Sequence, residues 1–204
     1  MKEYFIWINN LLQINASFVF YIDENLSKFI KNKRPKIYEN KTVWIETKFS
    51  DLYSYKHFKK DFTETYLLSE KKTMHSVPLY IIWAEKSFFL KKSIYRNYFN
   101  SECFYWIDAG FFRDINMSRY LYNWPSYDKC KKDPRVIINL IRNISNKEIN
   151  NLKLFDNIEH EKFKHIANVG GGLFGGKSDY LIRFIYLYYK TIKLFIKKKK
   201  IYWM

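Results

Sequence analysis

The sequence predicts an α/β fold, a mostly parallel sheet flanked by helices, within a single domain covering residues 1–204. Two patterns carry that reading. Short apolar runs of strand length alternate with longer stretches whose apolar residues recur with helical period. Strands separated by helices are also the arrangement that parallel pairing requires. Composition agrees: 48% of residues are apolar and 21% aromatic. A chain of this size can bury a sizeable core, and it lies far from the low-hydrophobicity signature of disorder.

Near the amino terminus, YFIWINNLL is a helix candidate. FVFYI (Phe18–Ile22), TVWIE (Thr42–Glu46), CFYWID (Cys103–Asp108) and RVIINLI (Arg135–Ile141) read as buried strands, with FKHIANV (Phe163–Val169) as a weaker candidate. Between them, Val77–Asn97 places Leu79, Trp83, Leu90 and Ile94 on one helical face. Asp179–Lys197 does the same with Leu181, Ile185, Tyr188, Ile192 and Phe195. In open sheets of this class ligands bind beyond the carboxyl ends of strands. The residues that follow each strand therefore matter most.

The formal charge is +16, which suits an anionic partner. Only seven of the 36 basic residues are Arg, and Lys, Asn, Ile, Tyr and Phe are all abundant. AT-rich coding sequence favours those residues, so the charge divides between solvated surface and an anion preference. A basic nucleic-acid-binding protein is an alternative, but no RNP, zinc-finger or helix-turn-helix pattern appears, and nucleic acid is not the expected partner.

Cys103 and Cys130 make no disulfide framework and fit no zinc spacing. The amino-terminal segment lacks a clean signal-peptide core. No run approaches the ~20 uninterrupted apolar residues that a membrane span needs. A reducing, cytoplasmic setting is the default expectation. The lysine run Lys197–Lys200 suits the solvated carboxyl end of a helix; its alternative is peripheral contact with an anionic membrane surface.

Five of the six glycines fall in VGGGLFGGKS, Val169–Ser178. From Gly171 the segment spells G-x-x-x-x-G-K-S, the P-loop pattern. A P-loop needs a preceding strand, a following helix and a later strand carrying an Asp for Mg²⁺. The residues after Ser178 read as one helix and a lysine tail, so the context fails. A glycine-rich turn that permits close backbone approach is the simpler reading.

FYWIDAGFFR, Phe104–Arg113, is more informative. A buried aromatic strand delivers the Asp108 carboxylate at its carboxyl end, and Gly110 follows in the turn. A lone carboxylate there suits Mg²⁺ or Mn²⁺ held mainly through substrate phosphates. Arg113 could grip a phosphate with its planar fork. The structural alternative is an Asp that caps the next segment, and sequence leaves the two open.

The run IIWAEKSFFLKKSIYRNYFNSECFYWIDAGFFR resembles the WlaTC/HtrL (YibB-like) family of bacterial glycosyltransferase-type proteins. The matching features are W-x-E-K at Trp83, Glu85 and Lys86, N-x-F at Asn97 and Phe99, and W-x-D-x-G-x-x-R from Trp106 to Arg113. FVFYIDE (Phe18–Glu24), Arg34 and MHSVPLY (Met74–Tyr80) precede them in order, and IANVGGGLFGG (Ile166–Gly176) follows. The resemblance implies a GT-A-like, Rossmann-type fold, incomplete here, that moves a sugar from a nucleotide-sugar donor to a glycan or lipopolysaccharide-like acceptor. It implies Asp108 as the ligand of a divalent metal, Mn²⁺ or Mg²⁺, with Glu85, Lys86, Asp108, Gly110 and Arg113 around the donor. Gly171, Gly172, Phe174, Gly175 and Gly176 would form a loop near donor or acceptor.

The chain departs from that pattern. Family members open with a strand and turn ahead of the matched segment and continue into an acidic segment; this sequence reads as clipped at both ends. Ala84 stands where W-N-E-K has Asn, and Asp108 is followed by Ala and Gly instead of a second acid. An inactive or fragmentary relative is therefore the alternative to an enzyme. Asp23, Glu24 and Asp114 are replacement candidates for a base, against their plainer reading as surface carboxylates or caps. His75 and His165 sit in no recognisable base arrangement.

Overall fold

Helix and strand alternate along the chain as the patterning predicts, but the strands gather into two small sheets. The computed structural model describes residues 2–68, 75–116, 124–133, 135–141, 143 and 169–197. The elements in order are α1 (Lys2–Leu12), β1 (Phe18–Ile22), α2 (Glu24–Ile30), β2 (Thr42–Glu46), α3 (Tyr53–Leu68), α4 (Val77–Arg96), β3 (Cys103–Ile107), α5 (Tyr127–Lys132), β4 (Ile137–Leu140), β5 (Val169–Lys177) and α6 (Ser178–Lys197). Of the predicted strand FKHIANV only Val169 lies within the described residues, and the lysine run beyond Lys197 lies outside them, as does His165.

β1 and β2 pair in parallel, from Phe18 opposite Thr42 to Ile22 opposite Glu46. Their crossover runs through α2, whose start is fixed by Asp23: its carboxylate accepts the Asn25 N–H at 2.9 Å. The remaining strands form a second sheet in the order β3-β5-β4, and both of its pairings are antiparallel. The expectation of a mostly parallel sheet thus holds only for β1 and β2; what stands is a mixed α/β architecture.

The physical reason lies in the glycines. The segment expected as a glycine-rich loop is a nine-residue strand, β5, at the centre of its sheet. A Cβ on Gly175 would run into the Tyr105 ring and lie 2.5 Å from the Phe104 carbonyl oxygen. Gly176 has φ +149° and would bring a Cβ to 2.8 Å from the Arg135 carbonyl oxygen. These glycines exist to let neighbouring chain approach. Because glycine adds nothing to hydrophobic periodicity, such a strand is invisible to pattern reading. It also disposes of the P-loop, since Lys177 pairs with Cys103 in an extended ladder and Ser178 opens α6.

α4 is the central helix. Ser76 caps it through Leu79 N–H at 3.4 Å, Pro78 occupies its first turn, and Asn97 closes it with φ 40°. Tyr80, Ile81 and Ala84 pack with Leu52, Phe58 and Phe62 of the α3 side and with Ile192 of α6. Leu90 faces Phe174, Leu181 and Ile185. Each fully buried Leu or Ile in these clusters contributes about 1.5–3 kcal/mol. A third cluster, Leu11, Ile14 and Phe112, ties α1 to the segment after β3.

The two cysteines, which make no framework by their number, are joined: Cys103 at the start of β3 bonds Cys130 in α5. A spacing of 27 residues gives no hint of this, because the partner arrives through tertiary folding. Among the described residues no helix is long and apolar enough to cross a membrane.

Candidate functional site

β3 ends at Ile107, and the chain turns at once. Asp108 N–H donates to Gly172 O at 2.9 Å, extending the ladder with β5 by one bond, and Phe111 N–H closes the turn on Asp108 O at 3.0 Å. The Asp108 carboxylate is then held from two sides. Trp106 Nε1 donates to Oδ1 at 2.6 Å, and Lys86 Nζ donates to Oδ2 at 2.7 Å. W-x-D spacing makes the first bond possible, because residues two apart project from the same face of a strand.

Lys86 comes from α4 and is only 7% exposed. Its ammonium also donates to the Gly171 carbonyl at 3.1 Å. That carbonyl is available because β5 is irregular there. Ile138 faces Phe174, yet the next β4 residue, Asn139, faces Gly170, so Gly171–Leu173 are extra residues without a β4 partner. Such bulges re-aim the backbone. A short, charge-assisted pair of this kind is rigid, and the Asp108 side chain remains 37% exposed. The pair is anchored in protein and open on one side.

It opens into a cleft of about 840 Å³, within the size range of small-molecule sites. The floor is one stripe of α4, including Leu79, Trp83, Lys86, Phe89 and Ser93. Phe18 and Phe20 of β1, Phe111 and Trp124 add aromatic surface. Among the described lining residues the charged ones are Lys86, Asp108 and Arg113. Arg113 lies with its guanidinium 4.8 Å from the Trp7 ring centre and its Nε donating to Gly110 O at 3.4 Å. At the far wall, burial pushes the Tyr21 hydroxyl up to about 12, despite the opposing bond to Ser93. It therefore stays protonated, 3.2 Å from Phe89 O and 3.0 Å from Ser93 Oγ.

Of the residues singled out from sequence, Lys86, Asp108, Gly110, Arg113 and Gly172 line this cleft, and Gly171 contributes its carbonyl. Gly110 packs under Trp7 and Tyr4, where a Cβ would sit 3.1 and 3.2 Å from their rings. Glu85 is elsewhere. It is 1% exposed and accepts Tyr53 N–H at 3.1 Å and Ser54 N–H at 2.7 Å, so it caps α3. Phe174 is buried against Leu90 and α6, and Gly175 and Gly176 pack on Tyr105 and Arg135. Asp23, Glu24 and Asp114 do not line the cleft; Asp23 caps α2, and Asp114 accepts Asn116 N–H at 2.8 Å. His75 lies edge-on to Tyr80 and Trp83. Sequence reasoning missed Phe89, although the helical stripe of α4 was there to signal it, and it quoted Trp106 in the W-x-D match without giving it a role in the site.

The donor set does not fit a divalent cation at Asp108. One carboxylate oxygen already holds an ammonium and the other an indole N–H. No second acidic side chain lines the cleft among the described residues, and none of those residues form a cluster of three or more His, Cys, Asp or Glu. A dication would have to displace Lys86 or sit beside it against charge repulsion.

A family model described as "Bacterial protein of unknown function (HtrL_YibB)" matches residues 1–202, and the chain belongs to that family. No curated protein and no solved structure matches the chain significantly.

Proposed function

We propose that this member of the HtrL_YibB family binds a nucleotide-sugar donor at the carboxyl end of β3 and transfers its sugar to a glycan acceptor. The observation that supports the reading is the Lys86–Asp108–Gly171 cluster, held rigidly at a cleft whose charged lining has two cations to one carboxylate. A diphosphate is the ligand chemistry that such a balance favours. The aromatic surfaces of Phe18, Phe20, Phe111 and Trp124 suit the flat faces of a base or a sugar. Gly171 and Gly172 carry no side chains, so a ligand can approach the pair closely.

In the transfer, an acceptor hydroxyl oxygen bonds to the anomeric carbon while the bond from that carbon to the diphosphate oxygen breaks. The electron pair leaves with the diphosphate, and the departing diphosphate oxygen takes the hydroxyl proton. Lys86 and Arg113 stabilise the charge that grows on the leaving group. Asp108 and Trp106 are positioning residues that hold Lys86. No metal enters these steps.

Titration of UDP-glucose and GDP-mannose by calorimetry, with and without EDTA, tests the reading. Binding that survives EDTA is expected, with Lys86→Ala weakening it at least tenfold, a loss of about 1.4 kcal/mol. Asp108→Asn is expected to keep the Trp106 bond, release Lys86 and hold affinity within about threefold. Absence of binding at millimolar donor sinks the proposal. A collapse in Asp108→Asn together with a need for Mn²⁺ replaces its cationic basis with a metal.

A binding protein without transfer activity is the second reading. It is favoured by one observation: no carboxylate or imidazole besides Asp108 lines the cleft among the described residues to receive the acceptor proton. Donor binding without donor hydrolysis or transfer would select it.

A further inference from the structure

The helix α6 spends only part of its circumference on the fold. Leu181, Ile185 and Ile192 are buried, and the Tyr189 hydroxyl donates to Ala84 O of α4 at 2.9 Å. The opposite side carries two stripes. Tyr180, Leu187 and Leu194 form one, and Arg183, Lys190 and Lys197 the other, all six exposed. Within each stripe the residues stand seven apart, ~10.5 Å of rise and almost two full turns, so each stripe runs nearly along the axis. The two stripes lie about 60° apart around the helix.

The fold does not use these side chains. Leu187 and Leu194 are 49% and 47% exposed and belong to none of the three apolar clusters. Lys193 adds a fourth exposed cation beside the basic stripe. Among the described residues none of these cations forms an ion pair, and Asp179 is the one acid of the helix. No residue of α6 lines the cleft, so this face stands apart from the nucleotide-sugar reading.

Charge decides what can cover it. A second copy of the chain would set cations against cations. The rest of the chain offers no acidic excess: residues 144–168 hold four Lys against four acids, and 69–74, 117–123 and 198–204 each carry a net positive charge. An acidic helix docked along both stripes would bury three cations in its seam, at the cost of their hydration. A nucleic acid pairs with the cations but leaves the leucines in water. A lipid surface takes both, because apolar side chains enter the acyl boundary while Lys and Arg reach the headgroups on long stems.

We infer that α6 docks on an anionic bilayer. Its outer face lies flat on the surface, with Tyr180, Leu187 and Leu194 in the acyl boundary and Arg183, Lys190 and Lys197 at lipid phosphates. The helix is 20 residues long, about 30 Å of contact along the membrane plane.

Sedimentation of the full chain with lipid vesicles tests this. Binding to vesicles of equal phosphatidylglycerol and phosphatidylcholine is expected, at least tenfold tighter than to phosphatidylcholine alone. Leu187→Ser combined with Leu194→Ser is expected to weaken it at least tenfold, as is Lys190→Gln combined with Lys197→Gln. All four positions are exposed, so each double variant should melt within about 4 °C of the native chain. No binding at millimolar lipid, equal binding to the neutral vesicles, or a leucine pair without effect overturns the inference. Binding to soluble polyglutamate as tight as to the anionic vesicles also overturns it and points to an acidic protein instead.

Discussion

On the β1–β2 side a buried cation, Arg34, ties backbone segments together. Its Nη1 donates to Leu12 O and Ile14 O at 2.7 Å, its Nη2 to Ala16 O at 2.8 Å and its Nε to Thr42 Oγ1 at 3.1 Å. Burial pulls its pKa down to about 10, so it remains charged at neutral pH. On the β3–β5 side Lys86 is as buried, at the same 7% exposure. Its partners are a half-open carboxylate and one bulged carbonyl. The difference separates two uses of a buried charge. Arg34 locks the end of α1 against the start of β1 and β2, with four of its five N–H donors bonded inside the chain and three of those four on backbone carbonyls. Lys86 instead lines the cleft, and its carboxylate partner is 37% exposed there, so a ligand can reach the pair.

Arg34→Ala should break this comparison hardest. It orphans three carbonyls at about 1–3 kcal/mol each, and partial solvent access brings the expected loss to about 4 kcal/mol. Urea unfolding should show it, with a melting point lower by about 12 °C, while the folded fraction keeps its ligand affinity.

Gly175→Ala comes next, because its Cβ meets the Tyr105 ring and the Phe104 carbonyl. Overpacking of that kind costs about 2 kcal/mol. Loss of the β3–β5 register should appear as faster amide exchange in both strands.

Lys86→Ala should cost only about 1 kcal/mol of stability, since Asp108 keeps water on its open side. Its donor affinity should nevertheless fall at least tenfold. Large stability loss with intact affinity would make Lys86 a second Arg34.

The smallest effect concerns Asp133. Bonds from the Arg135 side chain and N–H lower its pKa from 3.8 to about 2. A carboxylate with a depressed folded-state pKa adds stability above its unfolded value and loses it as pH falls toward the folded one. The gap in melting temperature between the native chain and Asp133→Asn should therefore narrow from pH 5 to pH 2.

Several elements are legible in the sequence. Phe18–Ile22 and Thr42–Glu46 have the predicted bounds because each is an apolar run bracketed by polar residues. α4 starts after Ser76 and ends before Asn97, as its period and caps dictate. Asp108 could be singled out because it follows a buried strand, where sheets of this class place ligand chemistry, and Lys86 through W-x-E-K. Glu85, its neighbour in that motif, shows the limit: one helical step of about 100° turns it to α3, and no local pattern says which of the two faces the cleft.

Sequence by itself determined where helices and strands form at the apolar runs, because periodicity and capping act over a few residues. It also placed a carboxylate at a strand end. Tertiary structure alone decided that the glycine-rich segment is a central strand, that β3 and β4 run against it, and that Cys103 meets Cys130. It alone brought Lys86 to Asp108, 22 residues away, and to Gly171, 85 residues away. Such contacts depend on which chain surfaces can approach most closely. At Gly171–Gly176 that closeness is granted by side chains that are absent, and an absent side chain leaves no hydrophobic pattern to read.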